Sequence, residues 1–125
     1  MAFTTTDYNM NLGMLHSNVQ PLKPAPDEEF RMWRDGQSLA KTNFIQLVVY
    51  HSPTGFEWGY PGSGPSDLAL NVLAMCTDGK TAIRLHLRFR DVFITTMPYE
   101  GGNISVERVK EWIRQELEDE GDLYE

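Results

Sequence analysis

The organisation of this chain turns on Gly62-Ser63-Gly64-Pro65-Ser66-Asp67-Leu68-Ala69-Leu70-Asn71-Val72-Leu73-Ala74-Met75-Cys76. Pro65 suits a first helical turn, where its missing N–H is unneeded and its fixed φ is already helical. Asp67 follows within the first turn, where the helix dipole favours a carboxylate. The run from Leu68 to Cys76 is apolar almost all round, the pattern of a helix covered on every side. A buried central helix is therefore expected over 65–76, with Asp78-Gly79 turning the chain at its end.

Strands are expected before this helix. Phe30–Arg34 followed by Asp35-Gly36 reads as a strand entering a two-residue turn, with a short return at Gln37–Ala40. Phe44–Tyr50 is β-branched or aromatic and nearly continuous, which predicts a central strand. Ser52-Pro53-Thr54-Gly55 supplies turn residues, and Phe56, Trp58 and Tyr60 alternate with Glu57 and Gly59, so a 44–60 hairpin is expected.

Beyond the helix, Lys80–Met97 satisfies two periods. Ile83, Leu85, Leu87 and Phe89 alternate with Arg84, His86, Arg88 and Arg90, yet Lys80, Arg84 and Arg88 also fall four apart. A helix over 81–90 and a strand over Val92–Thr96 is the favoured division. Ser105 can cap a closing helix with the stripe Val106, Val109, Trp112, Ile113 and Leu117. The fold class is α+β: a small, mostly antiparallel sheet packed against a buried central helix and a C-terminal amphipathic helix.

At 125 residues the chain has room for one core. The domain spans 28–117, preceded by an arm and Pro-rich linker over 1–27 and followed by an acidic tail over 118–125. The arm carries Phe3, Tyr8, Met10, Leu12, Met14 and Leu15, enough apolar surface to dock on the domain, a partner or a neighbouring subunit. No apolar run approaches the roughly 20 residues of a membrane span, and no signal peptide is visible, so a soluble cytoplasmic protein is expected. Cys76 is the single cysteine, which excludes an internal disulfide and a thiolate metal cluster. His16, His51 and His86 lack metal-ligand spacing, so no metal and no cofactor are expected.

The formal charge of −7 is concentrated. Glu116, Glu118, Asp119, Glu120, Asp122 and Glu125 lie in the last ten residues, and without them 12 of the 18 acids remain against 11 bases, or −1. Lys80, Arg84, Arg88 and Arg90 form an opposite, basic segment. Overall acidity argues against direct nucleic-acid binding, which draws its affinity from Lys and Arg meeting phosphates. An acidic run solubilises a small domain or imitates a nucleic-acid backbone toward a basic partner.

The string His51-Ser52-Pro53-Thr54-Gly55-Phe56-Glu57-Trp58-Gly59-Tyr60, then Gly62-Ser63-Gly64-Pro65 and Leu68-Ala69-Leu70, resembles a family of small domains of unknown function from bacteria, plasmids and bacteriophages. Its core reads H-S-P-T-G-F-x-W-G-Y-G-G-S-G-P-x-x-L-A-L. The resemblance extends through Leu85-His86 and Phe89 to Met97-Pro98 and Trp112, covering roughly 28–115. Pro61 departs from the family's Gly, which stiffens the loop and removes a backbone donor. The resemblance implies a fold and a mobile-element setting, and no activity to transfer.

Two function classes follow. The favoured one is a non-enzymatic protein that occupies a surface of a host protein, in its sharper form an inhibitor of nucleic-acid-handling or defence machinery. Trp58 and Tyr60 would anchor that contact, with Glu116, Glu118, Asp119, Glu120 and Asp122 facing a basic partner. The alternative is a binder of, or enzyme acting on, an anionic, nucleotide-like small molecule. Ser63, Gly64 and Ser66 would present a helix N-terminus to it, aided by His51, Arg84 and Arg88. Against that alternative, Pro65 lacks an N–H, Asp67 repels anions, and the glycines suit a tight turn under Trp58. His51, Ser52, Thr54, Glu57 and Ser63 form either a base, nucleophile and acid set or a hydrogen-bonded brace, according to distances that spacing leaves open.

Overall fold

The computed structural model describes Pro21 and residues 24–123, with side chains through Gly121. Most of the N-terminal arm, including Phe3, Tyr8, Met10, Leu12, Met14 and Leu15, lies outside the described residues. The element order is β1 (Glu29–Arg34), β2 (Ala40–Thr42), α1 (Ser63–Ala74), α2 (Gly79–Phe89) with a π-helical turn (Arg90–Ile94), β3 (Gly101–Ser105) and α3 (Val106–Leu123). The architecture is α+β, as the sequence predicts.

The sheet is antiparallel in the order β2-β1-β3. Strand alternation puts Phe30 and Met32 in the core and Arg31 outward. The first hairpin forms with a wider loop than two residues. Asp35 Oδ1 accepts from the N–H groups of Gln37 and Leu39 at 2.8 and 3.0 Å, and the positive φ falls on Ser38 rather than Gly36. The return strand accordingly starts at Ala40. The third strand is β3, which sequence reading missed because Gly101 and Gly102 open it. Gly101 has φ +102, and a Cβ there would collide with the carbonyl of Met32, so glycine is required for the close approach of β3 to β1.

The expected 44–60 hairpin is absent. Residues 44–60 form no strand, and the reason lies in α1. Asn71 Oδ1 accepts from the N–H groups of Leu47 and Val48 at 2.8 and 3.0 Å, and its Nδ2 donates to the Val48 carbonyl at 2.8 Å. Asp67 accepts from the N–H groups of Tyr50, His51 and Ser52. These backbone groups are thus paired by two side chains of one helix instead of by a neighbouring strand.

The expected strand over Val92–Thr96 is likewise corrected. Helix α2 runs on into a π-helical turn, closed by Thr95 N–H donating to the Arg90 carbonyl at 2.8 Å. Helical spacing there lets Phe93 pack against Phe89 with tilted rings, centroids 4.7 Å apart, and meet Trp112 edge-on at 6.0 Å.

Helix α1 is buried from Gly64 to Ala74. Asp78 begins the next helix rather than merely ending this one, since its carboxylate caps the Thr81 N–H at 3.0 Å. Ser105 caps α3 as expected, accepting from the Arg108 N–H at 3.0 Å, and Val109, Trp112 and Ile113 turn inward. The acidic stretch from Glu118 continues the helix to Leu123. No helix among the described residues is long and apolar enough to cross a membrane.

Candidate functional site

The structure places two polar constructions on the irregular 43–62 segment. The first surrounds a cleft of about 500 Å³ lined by Arg34, Glu57, Trp58, Tyr60, Met97 and Tyr99, together with Ser38 and Gly59. Arg34 ends the inward face of β1, and its guanidinium lies over the rings of Trp58 and Tyr99, at 4.5 and 4.0 Å from their centroids. It donates to both Glu57 oxygens at 2.8 and 3.2 Å, to the Tyr99 carbonyl at 2.6 Å and to the Ser38 carbonyl at 3.3 Å. A planar fork matched to a carboxylate and stacked on aromatic faces is a role that Lys cannot take. The Glu57 hydrogen bond raises the already high pKa of Arg34, so the guanidinium stays charged.

Trp58 is 2% exposed, and its indole N–H donates to the same Tyr99 carbonyl at 2.9 Å. The expectation that Trp58 anchors a partner is therefore corrected: it is the floor beneath Arg34. Tyr60, the other expected anchor, is 47% exposed, and Tyr99, which sequence reading did not single out, is 60% exposed.

The glycines of the 62–64 loop have a specific reason. A Cβ on Gly62 would overlap the Tyr60 ring, and one on Gly64 would stand 2.9 Å from Glu57 Cβ and 3.0 Å from Glu57 N. Their missing side chains make room for two residues of the cleft. Gly64 and Ser66 are buried, and the Ser66 hydroxyl donates to the Gly62 carbonyl and accepts from Arg90 at 3.0 Å. Arg84 and Arg88 point elsewhere, to Glu120 and Glu116 of α3. The residues expected to gather an anion, Ser63, Gly64, Ser66, Arg84 and Arg88, are thus divided between two places.

The second construction is Asp67 with His51 and His86. Asp67 is fully buried, within α1 rather than in its first turn, and accepts from Gln46 Nε2 at 3.1 Å besides the three backbone donors. Burial raises its pKa, against the lowering effect of those hydrogen bonds. His51 and His86 face each other with their Nε2 atoms 3.0 Å apart, and Tyr50 stacks on His51 at 4.5 Å. The ring centroids are 5.3 Å apart, so both nitrogens lie near the line between the rings, the geometry of one hydrogen bond rather than of two lone pairs converging on an ion. No group of three or more metal-binding side chains occurs among the described residues. The Ser52 hydroxyl donates to the Gly55 carbonyl at 2.9 Å and lies 3.3 Å from that of Thr54, while Glu57 is held by Arg34. Of the candidate catalytic set, only the bracing arrangement is assembled.

The acidic residues also acquire partners. Glu116 and Glu120 pair with Arg88 and Arg84, and Glu118 pairs with Arg114. Asp119 lies on the same helix, and the side chain of Asp122 is outside those described. Cys76 is half-buried, and burial pushes its thiol up to about 12, which leaves it protonated at neutral pH.

No curated protein and no solved structure matches the chain. A family of unknown function, DUF6166, matches residues 26–115, a span containing β1, the cleft, the histidine pair and most of α3. The chain belongs to that family.

Proposed function

We propose that the protein is a non-enzymatic binding module of phage or mobile-element type that occupies the surface of a host protein through the Tyr60 and Tyr99 cleft. The observation that carries this reading is the contrast between the cleft's floor and its two tyrosines. Arg34, Glu57 and Trp58 are committed to one another, whereas the rings of Tyr60 and Tyr99 are exposed beside them, that of Tyr99 against the Arg34 guanidinium. Rigid exposed aromatics concentrate interface energy at small entropic cost. The acidic surface of α3 supports a basic, nucleic-acid-handling partner less strongly than its sequence suggests, because Glu116, Glu118 and Glu120 are already paired with arginines.

The test is affinity capture of the full chain from bacterial lysate, followed by a measured Kd for any stoichiometric partner. Substituting Tyr60→Ala and Tyr99→Ala together weakens that complex by about 30-fold or more, as for an interface hot spot of ~2 kcal/mol. A partner held equally well by the double variant refutes the assignment of the surface. Thermal stabilisation by nucleotides or phosphorylated metabolites would instead favour the small-molecule class.

A further inference from the structure

The protonation states of the histidine pair follow from its neighbours. The Ile83 carbonyl, 2.6 Å from His86 Nδ1, can only accept, so Nδ1 carries a proton and Nε2 of the neutral ring carries the lone pair. His51 must then donate through Nε2, and its own Nδ1 is the place for a further proton. A proton there leaves the bond intact and makes it charge-assisted. A second added proton has to enter at His86 Nε2. That would set N–H against N–H at 3.0 Å and cation against cation.

We propose that His51 and His86 form an acid-released clasp between the irregular 43–62 segment and α2, closed with no or one added proton and open when both rings are charged. The groups around the pair fix the direction of the response. Arg90, on the π-helical turn, adds positive charge near His86, while Asp67 of α1 sets its carboxylate on the His51 backbone N–H. Tyr50 covers one face of the His51 ring. Burial first, then His51 and Arg90, hold the His86 pKa below its ordinary value of 6.5. A lowered folded-state value means that the closed form binds fewer protons than the open one. Its contribution is fully present above 6.5 and is lost as pH falls through the folded-state value. Asp67 works in the opposite sense. Its raised value makes the closed form the better proton acceptor, so Asp67 restrains the opening that His86 drives.

The experiment follows imidazole nitrogen shifts and amide exchange of the full chain from about pH 7.5 to 4.5, with exchange corrected for its intrinsic pH dependence. The expected result is that His86 ionises below its ordinary value of 6.5. As pH falls from 6.5 toward the lowered His86 value, the opening equilibrium of the Tyr50, His51 and Ser52 amides rises with a limiting slope of about tenfold per pH unit, that of one coupled proton, and levels off below that value. In His51→Gln the amide oxygen can accept from a charged His86, so the acid-driven rise shrinks to the part that burial of His86 alone imposes. A rise of the same size in His51→Gln overturns the proposal. Should that variant fail to fold, the wild-type titration is sufficient: His86 ionising with unchanged protection of Tyr50–Ser52 also overturns it.

Discussion

Replacing Asp67 by Asn tests whether one side chain does the work of a strand partner. Oδ2 of Asp67 is the sole oxygen reached by the Ser52 N–H, at 2.8 Å, and by Gln46 Nε2, at 3.1 Å, while the Tyr50 and His51 N–H groups reach both oxygens. Asn presents one acceptor and one donor group. If its oxygen faces Tyr50 and His51, then Ser52 and Gln46 meet an NH2. If it is turned the other way, four donors compete for one oxygen. Two stranded donors at about 1–3 kcal/mol each give a gross loss of roughly 2–6 kcal/mol. Removing the buried charge offsets part of this, since burial already holds the Asp67 pKa above its ordinary value. A net loss of about 2–4 kcal/mol is expected, a large share of a typical domain's 5–15 kcal/mol. Urea unfolding of both proteins at pH 7, with equal slopes, reads this difference directly. The penalty should also grow toward lower pH: a raised folded-state pKa gives the wild type stability below the ordinary 3.8 that is lost as pH rises through the folded value, and Asn lacks this dependence. A variant within about 0.5 kcal/mol of wild type, with the Tyr50–Ser52 amides still protected, would refute the reasoning.

Two further substitutions probe other contacts. Gly64→Ala places a methyl 3.0 Å from the backbone nitrogen of Glu57, so a loss of about 1–3 kcal/mol is expected in thermal or urea unfolding, with the Arg34 and Glu57 pair disturbed. A full-strength pair with unchanged stability would mean that the loop has room to move. Replacing Glu116 and Glu120 together by Gln removes the partners of Arg84 and Arg88, which are half exposed, so the loss should stay within about 1 kcal/mol and fade at high salt. A larger, salt-insensitive loss would show that α2 and α3 depend on these charges.

The elements that were legible in the sequence carry their own local signals. Helix α1 combined Pro65 with an all-round apolar body, and α3 combined a Ser105 cap with a 3.6-residue stripe, so neither needed distant information. Residues 44–50 were read as a strand because β-branched and aromatic residues suit any extended, covered backbone. What replaces the ladder is a pair of side chains some twenty positions onward, which no pattern within the segment reveals. The cleft was half legible. Tyr60 stood out as an aromatic beside glycines, but Arg34 and Tyr99 are 65 positions apart and meet only once β1 and the turn before β3 are in place. The glycines were legible as a packed turn beneath the aromatic residues, and the structure adds which neighbours they make room for, Tyr60 and Glu57.

Asp67 and Asn71 stand four residues apart and so occupy one face of α1, with the Asn71 amide donating to the Asp67 carbonyl at 2.8 Å. That spacing exists only after the helix has formed. In an unfolded chain the two side chains present no matched row of acceptors, and the backbone of 47–52 has nothing to align against. The dependence therefore runs against the direction of the chain: the conformation of 47–52 is set by a helix that follows it in sequence.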